Sequence, residues 1–319
     1  ISGALIGTII SVLLAYYFGL SSIVFCLISV SIGACFFSWF YSRKYLNNES
    51  CMSIKDLQPR MVNLIKTGFA FMYSGLIAAA VLYVSRILVG NELGLAYVGL
   101  YTAVSTLSLI YASMILNAIV SDFYPKLTAV SGDHVSVNRM VNEHVEMGLI
   151  LALPGIMATI LLAPYVLEIF YSAEFLPATN VIRWQMLGVL IRVLTYPIAI
   201  ILPAKGLSVS MIQAETISGI FHLSSLFFFM KLWSFEGVGL SFAFSCFVYL
   251  FVIMLIAKKR TGFALDKNCS MYFLISIIIM MISVILLKIY DNYEVKIFVT
   301  LNLILISGVC FLKLKKRLS

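Results

Sequence analysis

The sequence predicts an all-α, polytopic membrane protein with about ten transmembrane helices. Of its 319 residues, 62% are apolar and only 11% are charged, whereas an ordinary soluble domain has about 45–50% apolar and about 25% charged residues. A soluble fold of this length would lack the polar side chains needed to cover its surface. The composition therefore excludes a water-soluble enzyme, a nucleic-acid-binding protein and a disordered chain.

Ten apolar stretches have the length that the ~30 Å hydrocarbon core requires, about 20 residues each. In chain order they are residues 1–17, 21–41, 64–89, 97–119, 148–170, 181–203, 209–230, 237–257, 271–288 and 296–313. Each should form a helix, because a helix satisfies its own backbone polar groups in lipid. Prolines inside three of the later stretches, Pro154, Pro164 and Pro197, indicate kinked or broken helices.

Lysine and arginine residues predict the orientation. Sixteen of the 22 lie in alternate connections and the C-terminal tail, against three in the opposite connections. Because basic loops stay on the cytoplasmic side, we expect a cytoplasmic C-terminus and a first span that runs outward. The net charge of +8 then marks one face of the membrane and predicts no nucleic-acid partner.

Two of the connections on the basic side carry apolar residues at helical spacing. These are Ile54, Leu57, Met61 and Leu64, which begin in a linker at 42–63, and Val137, Met140, Val141 and Val145 further along. We expect amphipathic helices that lie along the lipid headgroups. The alternative is a pair of solvated linkers.

One short pattern occurs twice. Val98-Gly99-Leu100 with Ala103 and Ser105 recurs 140 residues later as Val238-Gly239-Leu240 with Ala243 and Ser245. An internal structural repeat, as transporters use, is one interpretation. Close helix packing at small residues four positions apart is the other, and we favour it because few positions match.

No motif for catalysis or metal binding is present. The sequence has no Walker A loop, no H-E-x-x-H and no G-x-S-x-G, and its six cysteines form no C-x-x-C pair. We therefore expect no catalytic residues, no metal and no cofactor. Function should depend on the polar side chains inside the membrane.

Arg192 is the most informative of these side chains. It lies about 11 residues from either end of span 181–203, which is ~16 Å deep at 1.5 Å per residue. An arginine at that depth costs at least about 2.5–3.5 kcal/mol and lies too deep to snorkel easily. We expect it to face a wet, anion-binding cavity, the alternative being a structural pair with Glu215. Four residues share its helical face: Gln185, Gly188, Thr195 and Tyr196.

A second polar face lies on span 209–230. Glu215, Ser218, His222 and Ser225 recur there at helical spacing. Glu215 and His222 could relay a proton or couple an ion to transport. They could equally form a hydrogen-bonded seam between helices.

Two further arginines lie near the outer span ends. Arg86 and Arg183 are each within about four residues of such an end, so snorkelling to the interface is expected for both. Arg183 is nine residues from Arg192, or ~180° around a helix of 3.6 residues per turn. The two side chains should therefore face opposite ways.

Several segments, in order and spacing over residues 64–263, resemble the polysaccharide-exporter branch of the MATE-like (MOP) flippases, and in part the Wzx-type O-antigen flippases. They are Arg86-Ile87-Leu88, Val98-Gly99-Leu100-Tyr101, Tyr124-Pro125-Lys126-Leu127, Arg183-Trp184-Gln185-Met186-Leu187-Gly188, Ala204-Lys205-Gly206, Glu236-Gly237-Val238-Gly239-Leu240 and Lys258-Lys259-Arg260. The resemblance implies a two-lobe architecture around a central cavity. Residues 1–41 would be the last two helices of the N-terminal lobe, 42–63 a linker, 64–257 the six-helix C-terminal lobe, and 258–319 two extra helices with a basic tail. Four N-terminal helices would precede Ile1, so that part of the first lobe is missing.

Function follows from the same resemblance. Such flippases move undecaprenyl-pyrophosphate-linked oligosaccharide from the cytoplasmic to the periplasmic leaflet of the bacterial inner membrane by alternating access, and cationic cavity residues hold the pyrophosphate. Arg192 fits that role, with Arg86 and Arg183 as secondary candidates. Gln185 and Tyr196 complete the expected substrate site, and other polysaccharide-assembly proteins are conceivable partners. Ion coupling through Glu215 and His222 is our inference from the residues alone.

Two rival functions stay open. A MATE-type multidrug or cation antiporter would share the fold, although its cavity should favour carboxylates over Arg192. A polytopic membrane enzyme of polysaccharide assembly would need a large outer loop or an acidic metal-binding motif, and neither is found. The midplane arginine favours the flippase.

Overall fold

The computed structural model describes residues 2–43, 54–290 and 292–318, and within these residues all regular structure is helical. Twelve α-helices follow one another along the described chain. They are α1 Ser2–Phe18, α2 Ile23–Arg43, α3 Ile54–Leu93, α4 Leu95–Ala129, α5 His134–Leu161, α6 Ala163–Phe170, α7 Thr179–Ala199, α8 Ile201–Ala204, α9 Ser208–Trp233, α10 Glu236–Thr261, α11 Lys267–Ile289 and α12 Tyr293–Leu318. Short 3₁₀ helices at Gly19–Ser22 and Ala173–Ala178 precede α2 and α7.

Eight of the described helical segments are long and apolar enough to cross a membrane. They correspond to the eight spans predicted from residue 64 onward, while α1 contains a shorter apolar segment, Gly7–Phe18. Large apolar side chains are exposed along α3, α9, α11 and α12, as lipid-facing helices require. The predicted fold class is confirmed, and the chain is a multi-pass membrane protein.

Contacts divide the chain into two units, residues 1–61 and 62–319. In the first unit, α1 and α2 pack side by side. A Cβ atom on Gly7 would lie 2.6 Å from the Val30 Cα atom, so glycine permits the close approach of the two backbones. Ser11 and Ser29 add a hydrogen bond of 2.9 Å between their hydroxyls. Residues 44–53 of the predicted linker at 42–63 lie outside the described residues.

In the second unit, α7 is the central helix. Helices α4, α5, α10 and α11 pack around it, α9 packs on α10, and α12 packs on α5. Residues 181–191 are buried without exception. A helix enclosed by protein can carry arginine, glutamine and threonine inside a membrane, because neighbouring helices rather than lipid meet those groups.

The span predicted at 148–170 is wrong as a single helix. Helix α5 ends at Leu161, and α6 begins at Ala163. Pro164 explains the break, because proline cannot donate a hydrogen bond to the carbonyl four residues earlier, that of Ile160. At its N-terminal end α5 is longer than predicted, because it begins at His134. The Asp133 carboxylate caps this end and accepts a hydrogen bond from the Val135 N–H at 3.0 Å.

The predicted headgroup position of the Val137, Val141 and Val145 stripe is also wrong. All three side chains are buried inside the protein, and α5 packs against α4, α7, α11 and α12. The first turns of α5 also bind the loop between α10 and α11. Asn138 accepts a hydrogen bond from the Ala264 N–H at 3.1 Å, and Asn142 accepts one from the Asp266 N–H at 2.8 Å. Apolar spacing alone could not show that other helices of the protein, and not lipid headgroups, meet this face.

The span predicted at 181–203 is confirmed with one bend. Helix α7 ends at Ala199, and the short α8 continues to Ala204. Gly206 follows with φ +70°, a left-handed conformation that glycine adopts without strain, and the chain turns into α9. This geometry places the middle of α7 opposite α9 and α10.

Candidate functional site

Six helices of the second unit surround a cavity of about 280 Å³: α3, α4, α7, α8, α9 and α10. Its size is at the low end of ligand cavities, which run from about 300 to 1,000 Å³. Much of the wall is apolar. The polar groups that line it are Tyr101, Ser105, Ser108, Gln185, Arg192, Thr195, Tyr196, Glu215, Ser218, His222, Ser245 and Tyr249.

The structure places Arg192 in this cavity, as its depth in the sequence predicts. Its guanidinium carbon lies 5.9 Å from the centre of the Phe242 ring, within the range of a cation–π contact. Among the described residues no carboxylate lies within ion-pair distance of it. The alternative of a structural ion pair with Glu215 is therefore not what the structure shows, and the guanidinium is available to an anion.

Gln185 faces the same cavity two helical turns away. The buried Ser108 hydroxyl donates to Gln185 Oε1 at 2.7 Å. The NH₂ group of Gln185 has two donors, and neither meets an acceptor in the part of the chain that the structure describes. Seven residues separate Gln185 from Arg192, or ~10 Å along the axis. This face of α7 thus offers donors at both positions, which suits an anion or sugar hydroxyls.

Glu215 is paired with a residue that sequence reasoning missed. The Tyr249 hydroxyl on α10 donates to Glu215 Oε1 at 2.7 Å. Both groups line the cavity. The tyrosine supplies the hydrogen bond that a carboxylate in a membrane needs, and it leaves the second carboxylate oxygen for another ligand.

The His222 imidazole has a defined orientation. Its Nδ1 atom lies 2.8 Å from Ser245 Oγ, and the Ser245 hydroxyl donates its proton to the Phe242 carbonyl at 2.9 Å. These distances fit an assignment in which Ser245 donates to the Phe242 carbonyl, Nδ1 donates to Ser245 and Nε2 carries the lone pair. The predicted polar face of α9 reaches the cavity through Glu215, Ser218 and His222.

Arg183 lies outside the cavity and has a structural environment. It is 4% exposed, and its guanidinium donates to the carbonyls of Ile160 at 3.2 Å and Leu287 at 3.3 Å and to the Asn180 amide oxygen at 3.2 Å. The Ile160 carbonyl is the one that Pro164 leaves without a donor, and Leu287 lies in the last turn of α11. Arg183 therefore caps the C-terminal ends of two helices, where a cation is favoured.

Of the other residues predicted for the site, some line the cavity and one lies on the surface. Thr195 and Tyr196 line the cavity, and Gly188 packs beneath it, where an added Cβ atom would lie 2.5 Å from the Phe242 ring. Arg86 is exposed on α3 and does not line the cavity. Arg183 and Arg192 face opposite ways, as their spacing predicts.

Helix α4 supplies part of the site that the sequence reasoning did not identify. Tyr101, Ser105 and Ser108 follow one another at helical spacing and line the cavity. The same search for polar stripes that singled out α9 would have found them. Tyr249 and Phe242 carry no comparable signal, because aromatic residues are common throughout the chain.

No group of three or more His, Cys, Asp or Glu side chains that could hold a metal is found among the residues the structure describes. The cavity offers cationic and amide donors at Arg192 and Gln185, which suit an anion, and a carboxylate at Glu215, which suits a cation.

Comparisons with known proteins show the family through one family model and the fold through solved structures. A family model described as polysaccharide biosynthesis protein matches residues 1–180. A comparison with curated proteins found no match. Among solved structures, the lipid II flippase MurJ in an inward-closed conformation is 16% identical with a TM-score of 0.58, over 99% of this chain and 66% of that chain.

Two MATE structures are similar over a smaller part. A eukaryotic MATE transporter is 10% identical with a TM-score of 0.56, over 71% of this chain and 54% of that chain. A multidrug resistance MATE family transporter of the MOP superfamily, in an outward-facing conformation, is 17% identical with a TM-score of 0.51, over 71% and 53%. The chain thus spans between about half and two thirds of the length of these structures.

Proposed function

Because this chain belongs to the polysaccharide biosynthesis protein family, we propose that it is a flippase for a lipid-linked oligosaccharide. The substrate is an undecaprenyl-pyrophosphate-linked O-antigen repeat unit. The protein turns it from the cytoplasmic to the periplasmic leaflet by alternating access and makes no covalent change to it.

The observation that carries the proposal is Arg192 in the cavity, which has no carboxylate within ion-pair distance among the described residues. A guanidinium without a carboxylate partner is costly inside a membrane unless an anion binds to it. A pyrophosphate is a suitable partner, because its oxygens accept paired, charge-assisted hydrogen bonds from the guanidinium fork.

Other polar groups on the cavity side of α7 are suited to bind a sugar next to the pyrophosphate. The free NH₂ group of Gln185 lies about two turns from Arg192 toward the outer end of α7, and Tyr196 lies one turn away in the other direction. Amide and hydroxyl groups of this kind bind sugar hydroxyls. Arg86 stays a secondary candidate on the exposed surface of α3, whereas the guanidinium of Arg183 already binds carbonyls of the protein.

Replacement of Arg192 by glutamine tests the proposal in cells. In a strain that lacks its own flippase, Arg192→Gln in the full-length protein should abolish surface O-antigen at unchanged expression. Arg139→Gln removes an exposed arginine outside the cavity and should leave the polysaccharide at the wild-type level. Normal surface polysaccharide in Arg192→Gln would exclude the pyrophosphate site.

We further propose that Glu215 and His222 couple transport to an ion gradient. Glu215 presents one free carboxylate oxygen, and the free Nε2 lone pair of His222 can accept a proton. Glu215→Gln keeps the shape and the Tyr249 hydrogen bond but removes the charge. Transport by this variant should no longer respond to a proton or sodium gradient, and an unchanged response would show that Glu215 does not couple the ion.

The second candidate function is MATE-type efflux of cations or drugs. Glu215 is the observation that favours it, because a cavity carboxylate attracts cations. Drug efflux that survives Arg192→Gln and is lost in Glu215→Gln would select this function. The proposed location is the bacterial inner membrane with a cytoplasmic C-terminus, as the distribution of Lys and Arg supports.

A further inference from the structure

A second cavity of about 540 Å³ lies where α3, the C-terminal end of α4 and the turn after α8 meet. The side chains of Thr67, Tyr124, Ser131 and Lys205 contribute its polar wall. The proposed orientation puts this end of the unit on the cytoplasmic side, because Lys126 and Lys205 belong to the basic connections.

The Lys205 ammonium in this cavity has no acceptor of its own. Among the described residues no carboxylate lies within ion-pair distance of it. Its polar neighbour is His134 Nδ1 at 3.2 Å, but the same nitrogen lies 2.8 Å from the Thr261 carbonyl oxygen. Since a carbonyl only accepts, Nδ1 carries the proton and donates it to Thr261, and an ammonium has nothing to accept. The donors of the lysine are therefore available to a ligand.

Three hydroxyls around it are also unused. Those of Thr67, Tyr124 and Ser131 have no hydrogen-bond partner among the residues the structure describes, and all three side chains are half-buried. Lysine and hydroxyl donors that converge on one space are typical of a phosphate-binding site.

The two cavities adjoin each other. Pro203 lines both of them. Phe71 belongs to the wall of the first and Tyr124 to the wall of the second, and their rings pack edge to face with centroids 6.5 Å apart. Pro203 and the Phe71–Tyr124 pair therefore lie at the boundary between the Lys205 cavity and the Arg192 cavity.

We propose that the Lys205 cavity is a separate phosphate site, which takes the pyrophosphate of the polyprenyl-linked substrate on the cytoplasmic side before it reaches Arg192. The proposal rests on the proposed function. Binding at Lys205 brings the pyrophosphate next to the Phe71–Tyr124 pair, and movement of that pair opens the way to the Arg192 cavity.

Binding in an Arg192→Gln background isolates this site. The full chain is purified in detergent, and equilibrium binding of radiolabelled farnesyl pyrophosphate is measured. Arg192→Gln should retain saturable binding, and Arg192→Gln/Lys205→Gln should bind about tenfold more weakly, a loss of about 1.4 kcal/mol. Arg192→Gln/Lys126→Gln is the matched control, because Lys126 is exposed and paired with Asp122, and it should bind like Arg192→Gln.

Two further variants guard against a folding defect. Lys205→Arg keeps the charge and should restore binding in the Arg192→Gln background. Thr67→Val removes one hydroxyl at nearly the same shape and should weaken binding to a smaller extent. Thermal unfolding midpoints of all variants should agree with that of Arg192→Gln.

Three results would overturn the proposal. Equal binding by Arg192→Gln and its Lys205→Gln derivative would remove Lys205 from the site, and a lack of binding by Arg192→Gln would remove the second site altogether. Complete displacement of the probe by an equal concentration of phosphatidylglycerol would assign the cavity to ordinary lipid headgroups. The proposed function fails by a different measurement, namely normal surface polysaccharide in Arg192→Gln cells.

Discussion

Arg183 and Arg192 lie on one helix and have opposite environments. The guanidinium of Arg183 binds carbonyl oxygens at the ends of α5 and α11, whereas Arg192 faces a cavity in which the described residues provide no ion-pair partner. The spacing of nine residues predicts opposite faces. It could not predict the partners of Arg183, because they are backbone groups of helices 23 and 104 residues away in sequence.

Arg183→Met should destabilise the protein without a specific effect on substrate. The change leaves the Ile160 and Leu287 carbonyls without their donor, and an unsatisfied buried polar group costs roughly 1–3 kcal/mol. The thermal unfolding midpoint in detergent should fall, whereas Arg86→Gln on the exposed surface should leave it unchanged. Affinity for a pyrophosphate probe, measured below the lowered midpoint, should match the wild type; a selective loss of affinity would assign Arg183 to the substrate site.

Asp133 gives a pH dependence of known sign. Its pKa is lowered by hydrogen bonds to its carboxylate from the Ser136 hydroxyl first and then from the Val135 N–H. A depressed pKa in the folded state means that its stabilisation is present above the ordinary aspartate pKa and is lost as the pH falls through the lowered value. The midpoint difference between wild type and Asp133→Ala should therefore be largest near neutral pH and vanish in acid. A difference that grows on acidification would contradict the cap.

At the scale of elements, most helices could be predicted, but their ends and contacts could not. The period and length of apolar stretches identify α3, α4, α9, α10, α11 and α12. The break at Leu162 depends on Pro164, and a proline within an apolar stretch can either kink a helix or end it. Burial of Val141 accompanies the packing of α5 against helices far away in sequence, such as α7 and α12. Such long-range contacts leave no local pattern.

The glycines of the two Val-Gly-Leu copies have different surroundings. A Cβ atom on Gly239 would lie 2.7 Å from the Val181 carbonyl oxygen and 2.9 Å from Trp184 Cβ, while one on Gly99 would meet nothing within 4 Å. Close packing of small residues therefore holds for α10 against α7 and not for Gly99 on α4. Whether the two copies share an origin stays a hypothesis.

This difference makes a matched pair of variants. Gly239→Ala should force α10 away from α7 and cost roughly 1–3 kcal/mol, as overpacking does. Gly99→Ala should leave the stability unchanged or raise it slightly, because alanine favours the helix. Unfolding midpoints in the same detergent compare them directly. Equal effects at the two positions would contradict the packing described for α7 and α10.

At the scale of the whole molecule, the important feature is that other helices enclose α7, which allows polar side chains to lie inside an apolar protein. Lipid-facing helices with exposed apolar side chains surround a helix that carries Gln185, Arg192 and Thr195. Sequence alone predicted Arg192, Gln185 and Tyr196 at the site, because polar residues at membrane depth stand out against an apolar background. It did not predict Tyr249 or the second cavity at Lys205, because both depend on how separate helices meet.

Transport by purified protein in vesicles tests the central claim, that Arg192 holds the pyrophosphate during passage. The full-length protein is reconstituted with a fluorescent undecaprenyl-pyrophosphate-linked oligosaccharide, and its appearance in the opposite leaflet is followed by quenching. Wild type and Arg139→Gln should move the substrate at the same rate, and Arg192→Gln should not exceed protein-free vesicles. Equal rates for Arg192→Gln and wild type would contradict the claim.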